Sequence, residues 1–320
     1  MSRGRVSING AAVRPLEPLR EAAMTDLLLL GIDAGGSSCR ARLALADGRV
    51  LGEGRGGPAS ARLGVAPAFD AMMEAVRGAW GQAGLGPPVF SRVVAAAGVA
   101  GFRREGAAEA FAGRPHPFAD LAFTDDGTIA CLGAHGGAEG GVVVVGTGSI
   151  AVGLLHGQPL RFGGYGLPAS DEGSGARLGQ AAMAFAFEVV DGRRLRGSLA
   201  AAILERFADS TPAMTGWMER ASPADYAGLA PLVLAAAPQD EDAAALLMEA
   251  GRGIGGLVDA LAGAGCRRIA LLGGLAEPLR PFLPAASMAR LAPALGDALD
   301  GALGLAKARL AEISGARRNA

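Results

Sequence analysis

The sequence predicts an α/β protein of two similar domains, because two stretches of the 320-residue chain repeat one pattern. Residues 28–54 and residues 142–163 each read as strand, Gly-rich turn, strand, tight turn, strand, and segments with helical spacing follow both. A repeat of this size indicates an internal repeat of a whole domain rather than a solenoid. We therefore expect a ligand in the cleft between the two domains, facing both Gly-rich turns.

The first half of the chain opens with a predicted hairpin. Residues 27–33 are an apolar run that ends at Asp33 in a Gly/Ser-rich turn, which indicates a buried strand. Residues 40–45 alternate polar and apolar side chains, and the Asp47-Gly48 pair that follows is typical of a type I′ turn. A helix is predicted at 67–83, and one of its faces is apolar, formed by Phe69, Met72, Met73, Val76 and Trp80. The other predicted elements of this half are a short helix at 104–112 and buried strands at 93–97 and 121–123.

The second half begins with the repeated strands and is mainly helical from about residue 175 to 265. A last buried strand at 268–272 ends in Gly273-Gly274, and an Ala/Leu-rich helix at 294–312 follows. The predicted domains are a disordered tail at 1–25, an N-terminal domain at 26–120 and a C-terminal domain at 121–297, with a C-terminal helix at about 298–315 that packs back on the N-terminal domain.

A match to the dinucleotide-binding pattern GxGxxG occurs at residues 251–256. It lies inside a helical stretch at 243–261 and not between a strand and a helix, so it lacks the structural context that this pattern requires. Glycines on a helix also allow a neighbouring backbone to approach closely. We therefore interpret the match as a helix-packing surface and not as a nucleotide site.

Composition excludes several classes of function. The net charge is −1 and no basic stripe is present, which argues against a nucleic-acid partner. No apolar run approaches the roughly 18 residues of a membrane span, so we expect no membrane partner. The three cysteines, Cys39, Cys131 and Cys266, are far apart and form no CxxC pair. We therefore predict neither a disulfide framework nor a zinc site, and a cytoplasmic location.

Two Gly-rich turns offer phosphate-binding chemistry, because glycine lets backbone amides approach a phosphate and hydroxyls add donors. Asp33 ends a buried strand beside the first turn, and its carboxylate could hold Mg²⁺ through water. Each turn alone is also explained as an ordinary hairpin. Two such turns at the head of two similar domains predict binding of a polyphosphate from both sides, and hence phosphoryl transfer. The turns read Asp33-Ala34-Gly35-Gly36-Ser37-Ser38 and Gly146-Thr147-Gly148-Ser149.

Further polar residues stand at a strand end and in loops. Asp125 and Asp126 precede a helix, and either carboxylate could accept the proton of an attacking hydroxyl, whereas capping of that helix explains only one of them. The loops at 57–60, 163–166 and 170–175 combine hydroxyls, acidic groups and close backbone, which suits sugar hydroxyls as well as plain turns. The residues alone leave the choice between the two aspartates open.

These motifs, in this order, resemble those of the actin/hexokinase/Hsp70 ATPase superfamily. Residues 33–42 are similar to its first phosphate motif, 145–149 to its second phosphate motif and 269–274 to its adenosine motif. The segments TDDGTIACLGA at 124–134 and SDEGSG at 170–175 narrow the resemblance to the amino-sugar kinases of the BadF/BadG/BcrA/BcrD ATPase type. The resemblance covers about residues 27 to 305 and implies two ribonuclease-H-like domains with the active site in the cleft between them.

The resemblance also implies an enzyme that uses ATP and Mg²⁺ to phosphorylate a small amino sugar. Glucosamine, giving glucosamine 6-phosphate, is the first choice and N-acetylglucosamine the alternative. Asp126 would be the general base, and Asp33 would position Mg²⁺ through water. The residues implied to contact ATP are Gly35, Gly36, Ser37, Ser38, Gly146, Thr147, Gly148, Ser149, Gly273 and Gly274. Those implied to contact the sugar are Ser60, Asp125, Gly164, Tyr165, Gly166 and Asp171.

Two positions depart from the pattern of the relatives and bear on the identity of the sugar. Ser60 stands where relatives often carry Asn, and Tyr165 stands where N-acetylglucosamine kinases tend to have Trp. A more distant alternative on the same fold is an ATPase activator of radical dehydratases, but the cysteine positions do not suit its iron–sulfur cluster. A sugar-responsive regulator would need a DNA-binding helix pair, which residues 1–26 are too short to supply. The sequence leaves a homodimer open.

Overall fold

The structure, a computed structural model, describes residues 27–318, so the predicted tail at 1–25 lies outside the described residues. The strands are β1 (Leu28–Ala34), β2 (Cys39–Leu45), β3 (Val50–Gly56), β4 (Val93–Val99), β5 (Asp120–Asp125), β6 (Gly140–Val145), β7 (Ser149–Leu155), β8 (Gln158–Gly163) and β9 (Ile269–Leu272). The helices are α1 (Val65–Ala83), α2 (Ala107–Ala112), α3 (Asp126–Ala134), α4 (Gly175–Val190), α5 (Ser198–Arg206), α6 (Thr211–Met218), α7 (Pro223–Ala227), α8 (Ala230–Ala236), α9 (Glu241–Gly263), α10 (Ala276–Leu279), α11 (Ala285–Met288) and α12 (Ala298–Arg318). None of these described helices combines the length and the apolar character that crossing a membrane requires.

The chain divides into two compact units. The described residues of the first unit lie within Met1–Gly140, Leu154–Pro159 and Ala294–Ala320, and the second unit comprises Gly141–Gly153 and Leu160–Pro293. The first unit is therefore discontinuous, since α12 joins it after the chain has built the second unit. The predicted boundary at residue 121 falls earlier than this division, because β5 pairs in parallel with β4 and so completes the first sheet.

The first unit contains a five-stranded sheet in the order β3-β2-β1-β4-β5. Strand β1 runs antiparallel to β2 and parallel to β4, and β4 is parallel to β5. Alternate residues of β1 face opposite sides of the sheet. Leu30 and Ile32 join the core on the α1 side, whereas Leu29 packs with Leu303 of α12 on the other. Helices therefore cover both faces of this sheet.

Helix α1 has the amphipathic pattern that the sequence predicted. Phe69, Met72, Val76 and Trp80 are buried, and Met73 is partly buried against the same core. Residues three or four apart lie on one face of a helix, so this stripe fixes which side of α1 meets the sheet.

The turn between β2 and β3 differs from the predicted type I′ turn. Four residues separate Leu45 from Val50, and the Gly48 amide donates to the Leu45 carbonyl at 2.9 Å. Among these four residues only Gly48 has a positive φ angle, +98°. A type I′ turn needs positive φ at both central residues. The predicted turn type was therefore wrong, although a hairpin does form at this point.

The second unit repeats the strand pattern of the first. Its four-stranded sheet has the order β8-β7-β6-β9, with β6 parallel to β9. In both sheets the first strand of a three-stranded meander thus lies next to a later parallel strand, which confirms the predicted repeat. Helices α4 to α9 follow β8, and their core contains Met183, Leu199, Ile203, Met214 and Ile254.

The glycines at 251–256 lie inside α9 and serve helix packing, as predicted. A Cβ atom at Gly251 would collide with the backbone of Phe282, and one at Gly255 would lie 2.9 Å from the Pro284 side chain. Gly256 faces open space. The pattern therefore reflects the close approach of the 280–288 segment to one side of α9.

Candidate active site

Three parallel strands of the first unit end at the same level. Asp33 on β1 lies opposite Gly98 on β4, which lies opposite Thr124 on β5. Adjacent strands are about 4.8 Å apart, so the backbone of Asp33 is about 10 Å from that of the Asp125-Asp126 pair. Gly98 has no side chain, and Ile129 of α3 fills the space where a Cβ would stand. Helix α3 consequently begins directly over the end of β4.

Asp33 is held by Arg40, its partner across the β1–β2 ladder. The Oδ2 atom of Asp33 accepts from Nη2 of Arg40 at 2.8 Å and from Nε at 3.3 Å. The Nη1 atom of Arg40 donates to Asp297, just before α12, at 3.2 Å. The Oδ1 atom of Asp33 accepts no hydrogen bond from the described residues. Arg40 therefore fixes one oxygen of this carboxylate, and the side chain as a whole is 20% exposed.

The first Gly-rich turn presents its polar groups to solvent. Gly36, Ser37 and Ser38 are exposed, and the turn is closed by the Gly35 amide, which donates to the Ser38 carbonyl at 3.0 Å. The Gly35 carbonyl accepts from the amide of Ala59 at 2.9 Å. This contact brings the loop that contains Ser60 to the turn. Ser60 itself is buried, and its Oγ atom accepts from the Arg62 amide at 3.1 Å.

Asp125 is the N-cap of α3. Its Oδ1 atom accepts from the Thr128 amide at 2.9 Å, and its Oδ2 atom accepts from the Thr128 hydroxyl at 2.7 Å. Arg103 donates to the same Oδ2 atom from Nε at 3.1 Å and from Nη2 at 2.7 Å. The two carboxylate oxygens therefore accept four hydrogen bonds, and capping explains this aspartate.

Asp126 is the first residue of α3 and has a different environment. Its Oδ1 atom accepts one hydrogen bond, from the Gly127 amide at 3.0 Å. Burial, the charge of Asp125 and, more weakly, the charge of Asp33 raise the pKa of Asp126 to about 6, although the Gly127 amide acts in the opposite direction. A carboxylate with a pKa near neutrality can take up and release a proton at physiological pH. The structure thus distinguishes two aspartates that the residue pattern left equivalent.

In the second unit, the other Gly-rich turn is bonded to the start of α4. The Gly146 amide donates to the Gly148 carbonyl at 2.9 Å and closes the turn. The amides of Gly175 and Ala176 donate to the carbonyls of Gly146 and Thr147 at 2.8 and 3.0 Å. Because these bonds run from the helix to the turn, the position of the turn is set by the N-terminus of α4.

Asp171 connects this turn to the loop at 163–166. It is buried and has a positive φ angle of +68°, and its Oδ2 atom lies 3.0 Å from where a Cβ atom of Gly148 would stand. Burial raises the pKa of Asp171, against hydrogen bonds from the backbone amides of Ser149 and Gly166 that lower it. The neighbouring carboxylate, Glu172, is exposed. Glu172 is thus the more accessible carboxylate of the SDEGSG segment, and the residue pattern gives no signal that distinguishes it from Asp171.

The loop at 163–166 turns sharply at its glycines. Gly164 and Gly166 have φ angles of +70° and +90°, and a side chain at Gly164 would meet Ile150. Tyr165 is 76% exposed, and the guanidinium of Arg161 lies 5.3 Å from the centre of its ring. This loop therefore presents an aromatic ring to solvent.

Gly273 brings the end of β9 onto the end of β6. Its φ angle is +101°, and a Cβ atom there would collide with the backbone of Val145. The Leu275 amide donates to the Val145 carbonyl at 3.1 Å. Gly274 beside it has no atom within 4 Å of where a Cβ would stand. The second unit thus gathers its Gly-rich turn, the start of α4 and the Gly273-Gly274 pair.

The charged partners of the site were not found from the sequence. Arg40 had a usable signal, because a hairpin around residues 35–38 places it opposite Asp33. Arg103 had none, since it is 22 residues from Asp125 in an irregular turn.

Among residues 27–318 no cluster of three or more His, Cys, Asp or Glu side chains is arranged to hold a metal ion. A single carboxylate that acts on Mg²⁺ through water needs no such cluster.

Residues 30–299 match the BadF/BadG/BcrA/BcrD ATPase family. The chain belongs to this family. Membership confirms the predicted family, and ATP is the nucleotide that an ATPase of this family uses. The predicted α/β ATPase fold with two sheets is confirmed as well, because the solved structures with which the chain aligns have the actin/hexokinase-type fold.

Three relatives place the chain within the family and the fold. Glucosamine kinase GspK of Vibrio cholerae serotype O1 is 34% identical over 275 residues, which are 86% of this chain and 94% of that protein. The crystal structure of a proposed N-acetylglucosamine kinase from Chromobacterium violaceum is 38% identical with a TM-score of 0.82, covering 88% of this chain and 99% of that one. A ROK family glucokinase from Streptomyces griseus, in complex with glucose and AMPPNP, is 20% identical with a TM-score of 0.50, covering 88% and 98%. This last likeness concerns the fold alone.

Proposed function

We propose that this BadF-type ATPase is a sugar kinase that transfers the γ-phosphate of ATP to a hydroxyl group of an amino sugar. The observation that carries the proposal is the contrast between the two adjacent aspartates. Asp125 accepts four hydrogen bonds, whereas Asp126 accepts one and has a pKa of about 6. Asp126 is therefore suited to accept the proton of an attacking hydroxyl. The names of the relatives, a glucosamine kinase and a proposed N-acetylglucosamine kinase, support the same reaction class.

Each side chain has a proposed part in this reaction. Asp126 orients the sugar hydroxyl and takes its proton as the oxygen attacks. Asp33 would hold Mg²⁺ through water by its Oδ1 atom, while Arg40 fixes Oδ2. When bound, ATP would provide the phosphoryl group and Mg²⁺ would offset the negative charge that develops during its transfer. The exposed hydroxyl of Ser37 and the turn around Thr147 would contact the phosphates, and Gly274 would border the adenine.

The residues around the Gly-rich turns fit a phosphate ligand. Exposed Gly36, Ser37 and Ser38 offer amides and hydroxyls without side-chain bulk. In the second unit the turn is fixed by α4, so its groups need not reorganise to bind an anion. We accordingly retain the predicted ATP contacts at 35–38, 146–149 and 273–274 as proposals.

Glucosamine is the first-choice sugar, with N-acetylglucosamine as the alternative, and the reaction would take place in the cytoplasm. Tyr165, Gly164 and Gly166 are the proposed sugar contacts in the second unit, where the exposed ring can cover an apolar sugar face. Ser60, Asp125 and Asp171 are more restricted, because each already accepts local hydrogen bonds. We propose that these three shape the sugar site and contact sugar through the hydrogen-bonding capacity that remains.

The cysteines favour this proposal over the activator of a radical dehydratase. All three are buried, and burial with the nearby charge of Asp33 raises the pKa of Cys39 to about 12. Iron–sulfur clusters are held by thiolates. A buried thiol that keeps its proton is a poor ligand for such a cluster.

The proposal is tested by measuring ADP release from Mg-ATP by the full chain with glucosamine, N-acetylglucosamine, glucose or no sugar. We expect strong stimulation by an amino sugar, largest with glucosamine, and a product that carries phosphate on the 6-oxygen. Removal of Mg²⁺ with EDTA should abolish turnover. Absence of stimulation by any sugar would overturn the kinase proposal. A stronger response to N-acetylglucosamine would replace the first-choice substrate and leave the reaction class unchanged.

A further inference from the structure

Arg103 forms an ion pair with Asp125, the neighbour of Asp126, and has no part in the reaction proposed above. Its guanidinium donates twice to Oδ2 of Asp125, at 3.1 and 2.7 Å. The side chain of Asp125 is 13% exposed and that of Arg103 is 44% exposed. The ion pair therefore has one buried partner and one partner at the surface.

The turn that carries Arg103 is firmly anchored. The neighbouring residue, Phe102, is buried, and its ring lies 6.2 Å from Phe111 and 6.4 Å from Phe123. The Ala100 amide donates to the Ala34 carbonyl at 2.9 Å, which ties the same turn to the end of β1. The anchored backbone places Arg103 within reach of Asp125, where two of its nitrogen atoms donate to one carboxylate oxygen. Exposed ion pairs contribute measurably when their contact geometry is good.

The contacts form a short path from Arg103 to the proposed base. Arg103 binds Asp125, Asp125 caps α3 through Thr128, and Asp126 is the first residue of α3. The charged groups near Asp126 are Asp125 at the end of β5, Asp33 on β1 with Arg40 on β2 beside it, and Arg103 after β4. The two carboxylates whose charges act on Asp126, those of Asp125 and Asp33, thus each have their own arginine, and Arg103 is the arginine of the nearer one.

We propose that Arg103 is a positioning residue for phosphoryl transfer: its ion pair with Asp125 fixes the start of α3, holds Asp126 in place and offsets the negative charge beside it. This inference rests on the proposed function, because it requires Asp126 to act as the base. Without Arg103, the charge of Asp125 acts on Asp126 in full. Without the charge of Asp125, Asp126 loses its nearest like charge.

Removal of Arg103 and removal of the Asp125 charge should shift the pH profile of kcat in opposite directions. Loss of structure alone would not produce opposite shifts. The experiment measures kcat of the full chain against pH for wild type, Arg103→Gln, Arg103→Lys and Asp125→Asn at saturating sugar and Mg-ATP. Arg104→Gln is the matched control, because Arg104 is the exposed next residue and has no ion pair with a described residue. The titration of the sugar amine is common to all variants, so only differences between variants are compared.

We expect the acidic limb of the profile to move up by about half a pH unit in Arg103→Gln and down by a similar amount in Asp125→Asn. Arg104→Gln should match wild type, and Arg103→Lys should return most of the way to it. Two results would overturn the inference. In the first, Arg103→Gln has the kcat of wild type and an unshifted acidic limb. In the second, the acidic limb moves in the same direction in Arg103→Gln and Asp125→Asn. If Arg103→Gln does not fold, the inference is tested by Asp125→Asn alone. It is overturned if the acidic limb of kcat in Asp125→Asn does not move to lower pH. An inactive wild type would instead refute the proposed function.

Discussion

Asp125 and Asp126 are neighbours in the chain, yet the backbone gives them different chemistry. Asp125 has φ −80° and ψ 154°, the extended conformation of an N-cap, so its side chain turns back onto the Thr128 amide. Asp126 is already helical and keeps most of its hydrogen-bonding capacity. The sequence could predict that one of the two caps the helix. It could not say which, because the answer depends on the residue at which β5 ends and α3 begins.

The substitution Asp126→Asn should change catalytic rate and folding stability in opposite directions. We expect kcat to fall by about 10²- to 10⁴-fold, the usual contribution of a general base. The melting temperature at pH 7 should rise, because the folded pKa of about 6 lies above the unfolded value. The ionised carboxylate therefore destabilises the folded state above pH 6, and the amide removes that effect. The measurements are coupled ADP release and thermal unfolding. Asp70→Asn, at an exposed position of α1, is the control and should change neither.

The same carboxylate predicts the pH dependence of the wild-type enzyme. The base must be ionised to accept a proton, so kcat should fall below about pH 6, where Asp126 becomes protonated. Folding stability should show the opposite trend over this range, since the folded state binds the proton more tightly than the unfolded state does. Initial rates and unfolding free energies between about pH 4.5 and pH 8 test both trends. A kcat that is flat through pH 6 would contradict the assignment of Asp126 as the base.

Helix α12 begins at a network of charges that joins it to the first sheet. The amides of Asp297 and Asp300 donate to each other's carboxylates at 2.9 and 3.1 Å, and Arg40 and Arg42 of β2 donate to Asp297. The sequence predicted the helix from its Ala/Leu pattern. The network could not be predicted, because its partners are about 255 residues apart in the chain.

Asp297→Ala should loosen the start of α12. Burial opposes ionisation of this carboxylate, but the Asp300 amide and the guanidiniums of Arg42 and Arg40 outweigh it and lower the pKa of Asp297. Its stabilising contribution is therefore present above the unfolded pKa near 3.8 and is lost as the pH falls through the folded pKa. We expect a loss of about 1–2 kcal/mol in unfolding free energy at pH 7, from the cap, and a smaller difference below pH 4. Denaturant unfolding measures both. Glu53→Ala, which removes an exposed partner of Arg42, should cost less than about 0.5 kcal/mol.

Two glycines of α9 should respond to alanine with opposite signs. A Cβ atom at Gly251 would collide with the Phe282 backbone, so Gly251→Ala should lower the unfolding free energy by about 1–3 kcal/mol. Gly256 faces open space, so Gly256→Ala should raise it by about 0.5–1 kcal/mol through helix propensity. Neither change should alter the KM for ATP while the protein is folded. A change in that KM without a change in stability would reinstate the GxGxxG pattern as a nucleotide site.

The repeated meander was the most predictable feature of the whole chain, because strands and tight turns are encoded locally. The parallel partners β4 and β9 were found as short apolar runs. The predicted domain boundary at residue 121 lies about 20 residues before the division between the compact units, because β5 and α3 follow a loop that looks like a linker, and only pairing of β5 with β4 assigns them to the first sheet. Long-range pairing of this kind leaves no local signal in one sequence.

The discontinuous first unit leads to a prediction about fragments. Leu29, Ala44 and Ala96 are buried together with Leu303 and Ala306 of α12, so a chain that ends at residue 140 exposes this face of the sheet. We expect residues 27–140 alone to show no cooperative thermal transition. Residues 141–293 retain the whole helical core of the second unit and should unfold cooperatively.

Joining residue 140 to residue 294 by a short Gly/Ser linker should restore the transition of the first unit. The geometry permits the junction, because the Leu295 amide donates to the Ala134 carbonyl at 2.9 Å. Circular dichroism during heating measures each fragment, and the linked fragment with Leu303→Asp is the control that should again lose the transition. A cooperative transition of residues 27–140 without α12, at the temperature of the linked fragment, would show that α12 is dispensable for this unit. The expected result makes α12 part of the core of the first unit, so that this unit can be completed only after the second has been synthesised.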